Sequence, residues 1–253
     1  IGNAAILSQY LPAEVVNRVL SAERMSPADA ELSGYVTQLQ ELLHSVVSFV
    51  PEYADVTHRT LPAAQPGVLR PVEGALLAAD LSGFTAFSAR LSRLGGEGAE
   101  LVARTVNALF SALIETLAQW DGRLLKLSGD ALTALFSGPN YLHRAATAAL
   151  ALQERMAAFA ALDTPAGTFT LRIRIGLASG EVLLAQVGTA ERIELLVAGG
   201  PARRVMAYQR HASPGAVVLG PGCYADLAPY CRKVAPLGAG LYRVAAIEPA
   251  QPP

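Results

Sequence analysis

Leu76-Leu77-Ala78-Ala79-Asp80-Leu81-Ser82-Gly83-Phe84-Thr85-Ala86-Phe87 decides the fold. The short apolar run at Ala75–Ala79 reads as a buried strand, it stops at Asp80, and helical spacing begins at Phe84. Helical patterns cover Phe84–Leu94 and Gly98–Trp120, the second with Leu101, Val102, Thr105, Leu109, Leu113, Leu117 and Trp120 at three- and four-residue steps. Two strand-like runs follow, Arg123–Leu127 and Ala131–Phe136, joined by Ser128-Gly129-Asp130, and a Gly-Asp pair between apolar runs signals a hairpin. An alanine-rich helix is predicted over Asn140–Leu162, then strands at Thr168–Ala178 and Glu181–Val187 around a turn at Ser179-Gly180.

Strand, helix, helix, strand, strand, helix, strand is the split βαβ plan of an α+β, ferredoxin-like βααββαβ sandwich, with helices on one face of a mostly antiparallel sheet. From Ile193 onward short strands alternate with a helix near Pro201–His211. Upstream, Ala4–Leu20 reads as a helix, and Ser26-Pro27-Ala28-Asp29 opens a second one. In that second helix Leu32, Val36, Leu39, Leu43, Val46 and Val50 form a short heptad seam. Pro62, Pro66, Gly67 and Pro71 break periodicity between the halves. The chain therefore divides into an N-terminal helical extension (1–60), a Pro/Gly linker (61–73) and an α+β domain (74–253).

Composition narrows the function. The 253 residues are 52% hydrophobic and 16% charged, enough apolar surface to fill a core, and the formal charge of −1 gives no footprint for a nucleic-acid binder. No run approaches the roughly 20 uncharged apolar residues of a spanning helix. The first 20 residues lack a basic n-region with an apolar core, so the expectation is a cytoplasmic chain without membrane insertion. Cys223 and Cys231 fit neither a disulfide framework nor a zinc spacing, and the four histidines include no i, i+4 pair. Gly95-Gly96-Glu97-Gly98 lies between helices and is an interhelical turn, not a dinucleotide fingerprint.

Chemistry concentrates at two aspartates. Asp80 ends a strand just before a helix start, where a carboxylate stands beside free N–H groups, a cation site next to an anion site. Asp130 occupies the tip of the hairpin that neighbours that strand in the inferred sandwich. Each alone reads equally as a cap or turn residue. Together at one sheet edge they can hold two Mg²⁺ ions about 3.5 to 4 Å apart, able to activate an attacking oxygen and neutralise a leaving phosphate.

L-L-A-A-D-L-S-G-F-T-A-F (76–87), G-R-L-L-K-L-S-G-D-A-L-T-A-L-F (122–136) and L-R-I-R-I-G-L-A-S-G-E-V (171–182) resemble the class III nucleotidyl cyclase domain, nearest to the bicarbonate-responsive soluble adenylyl cyclases and their bacterial multidomain relatives. The resemblance implies that Asp80 and Asp130 ligate two Mg²⁺ or Mn²⁺ ions with the main-chain carbonyl of Leu81. It also implies that backbone amides from Gly83, Phe84 and Thr85 hold the triphosphate. ATP would be converted to cyclic AMP and pyrophosphate.

Such sites lie at a dimer interface, and the other half supplies the purine-reading and transition-state groups. Here Leu196, Arg203 and Ala207 stand at the positions of the purine acceptor, the asparagine and the arginine. Leucine and alanine offer no hydrogen bond or charge for those tasks. Lys126, one of two lysines in the chain, matches the family lysine. In a homodimer it would read adenine; in a metal-donating half it would line the pseudosymmetric pocket, whose partner arginine is replaced by Met206. The expectation is a metal-donating half that needs a complementary half or a homodimer. The alternative is a catalytically silent nucleotide-binding or regulatory module.

Overall fold

The computed structural model describes residues 69–188 and 193–251, so the helices read within 1–60 and the seam Leu32–Val50 lie outside the described residues. In chain order the described elements are β1 (Leu69–Ser82), α1 (Phe84–Leu91), α2 (Gly96–Gln119), β2 (Arg123–Ser128), β3 (Ala131–Ser137) and α3 (Tyr141–Arg155). A small hairpin follows, β4 (Leu162–Thr164) with β5 (Gly167–Phe169), then β6 (Arg172–Gly188), β7 (Ile193–Ala198) and α4 (Gly200–His211). The last elements are β8 (Val217–Leu219), α5 (Pro221–Leu227), β9 (Cys231–Gly238) and β10 (Leu241–Ile247).

One eight-stranded sheet runs β2-β3-β1-β6-β8-β10-β9, with β7 added to β6. Its first four strands have the antiparallel order expected of the split βαβ plan; β8 joins β6 in parallel. β1 is the centre: it pairs with β6 from Leu69↔Ala185 to Ser82↔Arg172 and with β3 from Gly74↔Ser137 to Asp80↔Ala131. Apolar residues fill both faces of this strand, as a doubly covered strand requires. Ala75, Leu77, Ala79 and Leu81 pack with Leu109, Leu113 and Leu117 of α2 and with Ala145, Ala148 and Leu152 of α3. Leu76 and Ala78 face the other way, onto Leu125, Leu135, Ala178, Val182 and Val205.

Three expectations change here, while α1, α2 and α3 share one face as the sandwich plan requires and α4, which lies beyond that plan, packs through Val205 on the opposite side. The close approach of α4 is set by Gly176, where a β-carbon would come within 2.4 Å of the Gln209 nitrogen and 2.5 Å of the Val205 carbonyl oxygen. Ser179-Gly180 is no turn: β6 is continuous through it, held in one unbroken register by β1. The third helix ends at Arg155 and passes through a 3₁₀ turn, Met156–Phe159, before β4, earlier than the composition predicts.

Finally, β1 starts at Leu69, inside the stretch read as linker. Pro71 is tolerated there because β3 joins only from Gly74, leaving β1 a single partner at that point. The 24-residue α2 is also long and apolar enough, by length and composition alone, to span a bilayer. In the fold its Leu109, Leu113 and Leu117 are buried in the helix-side core.

Arg144 fastens α3 to this frame. The residue is 5% exposed, and its guanidinium donates to the carbonyls of Pro139, Trp120 and Ser137 and to Asp121 Oδ2 at 2.9 Å. Removing a buried charge that serves several acceptors leaves them unsatisfied. Arg144→Met should therefore lower unfolding free energy by about 3 kcal/mol, read as a shifted denaturant midpoint with unchanged slope.

Candidate functional site

Alternation along β1 puts Asp80 on the same face as Leu76 and Ala78, at the end of the strand where α4 no longer covers it. The registers then align Ser128, Ala131, Asp80 and Arg174 as one row across β2, β3, β1 and β6. The next row on the same face is Lys126, Thr133, Ala78 and Gly176. A register shift between Leu124 and Lys126 inserts Leu125, a β-bulge, so buried Leu125 belongs to the Leu76 cluster while exposed Lys126 pairs with Thr133.

The hairpin carrying Asp130 is a two-residue turn closed by Ser128↔Ala131, with Gly129 at φ 63°. A positive φ at the first central residue suits the twist of paired strands and favours glycine. The Leu81 N–H donates to the Asp130 carbonyl at 2.9 Å, which ties the tip of the hairpin to the end of β1. An extended residue directs its N–H and C=O to the same side, so the Leu81 carbonyl also points to the hairpin edge. Asp80, Asp130 and Leu81 thus converge on one corner of the sheet.

That corner suits a hard divalent cation. Its donors are carboxylate and carbonyl oxygens, and among the described residues neither Asp80 Oδ1 nor the Asp130 carboxylate has a protein partner. No group of three or more His, Cys, Asp or Glu gathers among the described residues. A Mg²⁺-type site of one or two carboxylates completed by substrate phosphates needs no larger group.

Beside it, Gly83 (φ 93°) precedes α1 and supplies no side-chain cap, so the first N–H groups of the helix are open to an anion. Gly83 and Thr85 are exposed and Phe84 is half-buried, packing against the core.

Sequence reasoning missed Arg174. Its guanidinium Nη2 donates to Asp80 Oδ2 across the β1–β6 ladder. Strand alternation places Arg174 on a definite face, but only the register reveals which carboxylate it meets. The remaining residues of interest stand apart from this corner. Leu196 is exposed on β7, pointing away from Leu195 and Val197, which pack with Val205. On α4, Arg203 and Met206 are exposed and Ala207 is half-buried. Neighbouring Arg204 is engaged, donating to the Ser179 carbonyl at 2.9 Å.

Residues 73–196 match the family described as adenylate and guanylate cyclase catalytic domain. Adenylate cyclase type 10 of Rattus norvegicus is 31% identical over 156 residues, a match that covers 60% of this chain and 10% of that protein. The chain therefore corresponds to about a tenth of the curated relatives it matches first. Adenylyl cyclase CyaB from P. aeruginosa superposes with a TM-score of 0.58 at 15% identity, covering 71% of this chain and 96% of that one. A dimeric guanylyl cyclase domain of the RhoGC fusion protein from the aquatic fungus Blastocladiella emersonii gives 0.61 at 20% identity, covering 72% and 98%. At such identities the structural likeness establishes the fold.

Gly83 tests the local geometry. A β-carbon there would sit 2.6 Å from the Thr170 carbonyl oxygen, on a backbone that already has φ 93°. Gly83→Ala should cost about 1–3 kcal/mol of stability in a denaturant titration.

Proposed function

Residues 73–196 belong to the adenylate and guanylate cyclase catalytic domain family, and on that premise we propose that this chain is the metal-donating half of a class III adenylyl cyclase. It would convert ATP to cyclic AMP and pyrophosphate once joined by a complementary half. The observation that carries the reading is the convergence of Asp80, Asp130 and the Leu81 carbonyl beside the uncapped start of α1.

Asp80, Asp130 and the Leu81 carbonyl would hold two Mg²⁺ or Mn²⁺ ions. Bound there, the ions would lower the charge barrier to attack of the ribose 3′-hydroxyl on the α-phosphorus. The open amides at Gly83, Phe84 and Thr85 would donate to the phosphate oxygens and orient the chain of phosphates. In the reaction the 3′ O–P bond forms, the bond to the β-phosphate oxygen breaks, and the hydroxyl proton leaves to solvent. The nucleophile belongs to the substrate, so positioning and electrostatics suffice.

The need for a second half rests on what α4 and β7 lack. Exposed Leu196 has no hydrogen bond to offer a purine, and Ala207 has no charge for a transition state. Lys126 is exposed on the Asp80 face, opposite Thr133 of β3. In a metal-donating half it faces the pseudosymmetric pocket and not the substrate.

A second reading, a silent nucleotide-binding or regulatory module, draws on the same missing groups together with the Asp80–Arg174 ion pair. Metal-dependent ATP binding in a calorimeter favours the catalytic reading; indifference to nucleotide favours the silent one.

Mixed with a complementary half in Mn²⁺, the chain should produce cyclic AMP, and the Asp80→Ala and Asp130→Ala forms should not. Equal output from the parent and either variant would refute the proposal. Alone, it should turn over slower by ~10² to 10³, the loss that follows removal of one charge-stabilising group.

A further inference from the structure

Asp80 and Arg174 are directly opposed in a ladder of β1 with β6 that runs through fourteen residues of β1. The ion pair is consequently built by the register, not by a chance meeting of long surface side chains. Its side chains are 23% (Asp80) and 36% (Arg174) exposed. The bond to Asp80 is the only one that guanidinium makes among the described residues, and its Nε is buried without an acceptor. Arg174 therefore has no second anchor holding it where it is.

A divalent cation on Asp80 Oδ1 and the guanidinium on Oδ2 of the same carboxylate would stand as like charges within a few ångströms of each other. Resting on the reading of Asp80 as a cation ligand, we propose that Arg174 is a tethered competitor, a positioning residue that occupies Asp80 until a divalent cation displaces it. The exchange is intramolecular on one side, so the competitor is always present at the same place, whatever the solution composition. Without a cation the carboxylate keeps a counter-charge in its partly shielded corner. With one, Arg174 must swing away, and the cost of parting the pair is subtracted from cation affinity. A weakly attracted monovalent ion does not meet that cost, whereas a charge-dense divalent ion does.

The test is Mn²⁺ titration of the full chain, free of nucleotide, followed by electron paramagnetic resonance of unbound Mn²⁺. Arg174→Met should bind Mn²⁺ at least about threefold more tightly than the parent, the scale of a partly exposed ion pair. Arg174→Lys, which keeps the charge but loses the planar fork, should fall between them. Arg172→Met serves as the field control, because Arg172 opposes Ser82 and makes no bond to Asp80. It should change affinity far less. Without cation the thermal midpoint of Arg174→Met should drop, and saturating Mn²⁺ should restore it.

Equal or weaker Mn²⁺ binding by Arg174→Met, with the parent titrating normally, overturns the competitor. So does an equal gain from Arg172→Met, which would mean a general field and not an exchange at Asp80. Failure of the parent and Arg174→Met alike to bind Mn²⁺ overturns the cation-site reading with it, so the two failures are distinct. Should Arg174→Met not fold, Arg174→Lys decides: unchanged affinity there overturns the proposal.

Discussion

The unbroken antiparallel register between β1 and β6 is the constraint from which the candidate site follows. Fourteen residues of β1 pair without a slip, from Leu69↔Ala185 to Ser82↔Arg172. A shift by one would send Asp80 to the face covered by α2 and α3 and Ala79 to the α4 side, since side chains alternate with a period of two. The burial of Leu76 and Ala78 on one side, and of Leu77 and Ala79 on the other, fixes that register energetically. Core packing and site geometry are thus one decision. The same apolar residues that hold the strand in place aim its terminal carboxylate.

Much of this was legible in the sequence, for identifiable reasons. Asp80 and Asp130 stand at element ends, where a change of periodicity or a Gly-Asp turn marks the place, and local signals survive without knowledge of tertiary contacts. The split βαβ order was legible for the same reason: each element announces its own period. What stayed hidden was non-local. The partner of Arg174 depends on which residue of a strand some ninety positions earlier lies opposite. Ser179-Gly180 looks like a turn in isolation, yet pairing along β1 carries β6 straight through it, because ladder bonds on a central strand outweigh a weak local preference. The face taken by α4 was hidden too, since it rests on the room left by Gly176.

The corner combines features that pull in different directions. Open amides at the start of α1 and the Arg174 guanidinium favour anions, while Asp80, Asp130 and the Leu81 carbonyl favour cations. Side by side they suit a ligand that brings both signs, as a metal-complexed polyphosphate does. On β7 and α4 the exposed Leu196 and Met206 and the half-buried Ala207 offer neither charge nor hydrogen bond.

The bulge at Leu125 has a consequence for anyone exchanging segments among homologous domains. Because β2 carries one additional residue, a buried leucine and an exposed lysine occupy successive positions on the same side of the sheet. A chimera that replaced β2 with a strand one residue shorter could preserve each amino-acid type and still rotate the ammonium group into the hydrocarbon layer beneath α2. Sequence columns that look equivalent at this spot therefore need not be equivalent in space, and the irregularity, not the letter, is the feature to transplant.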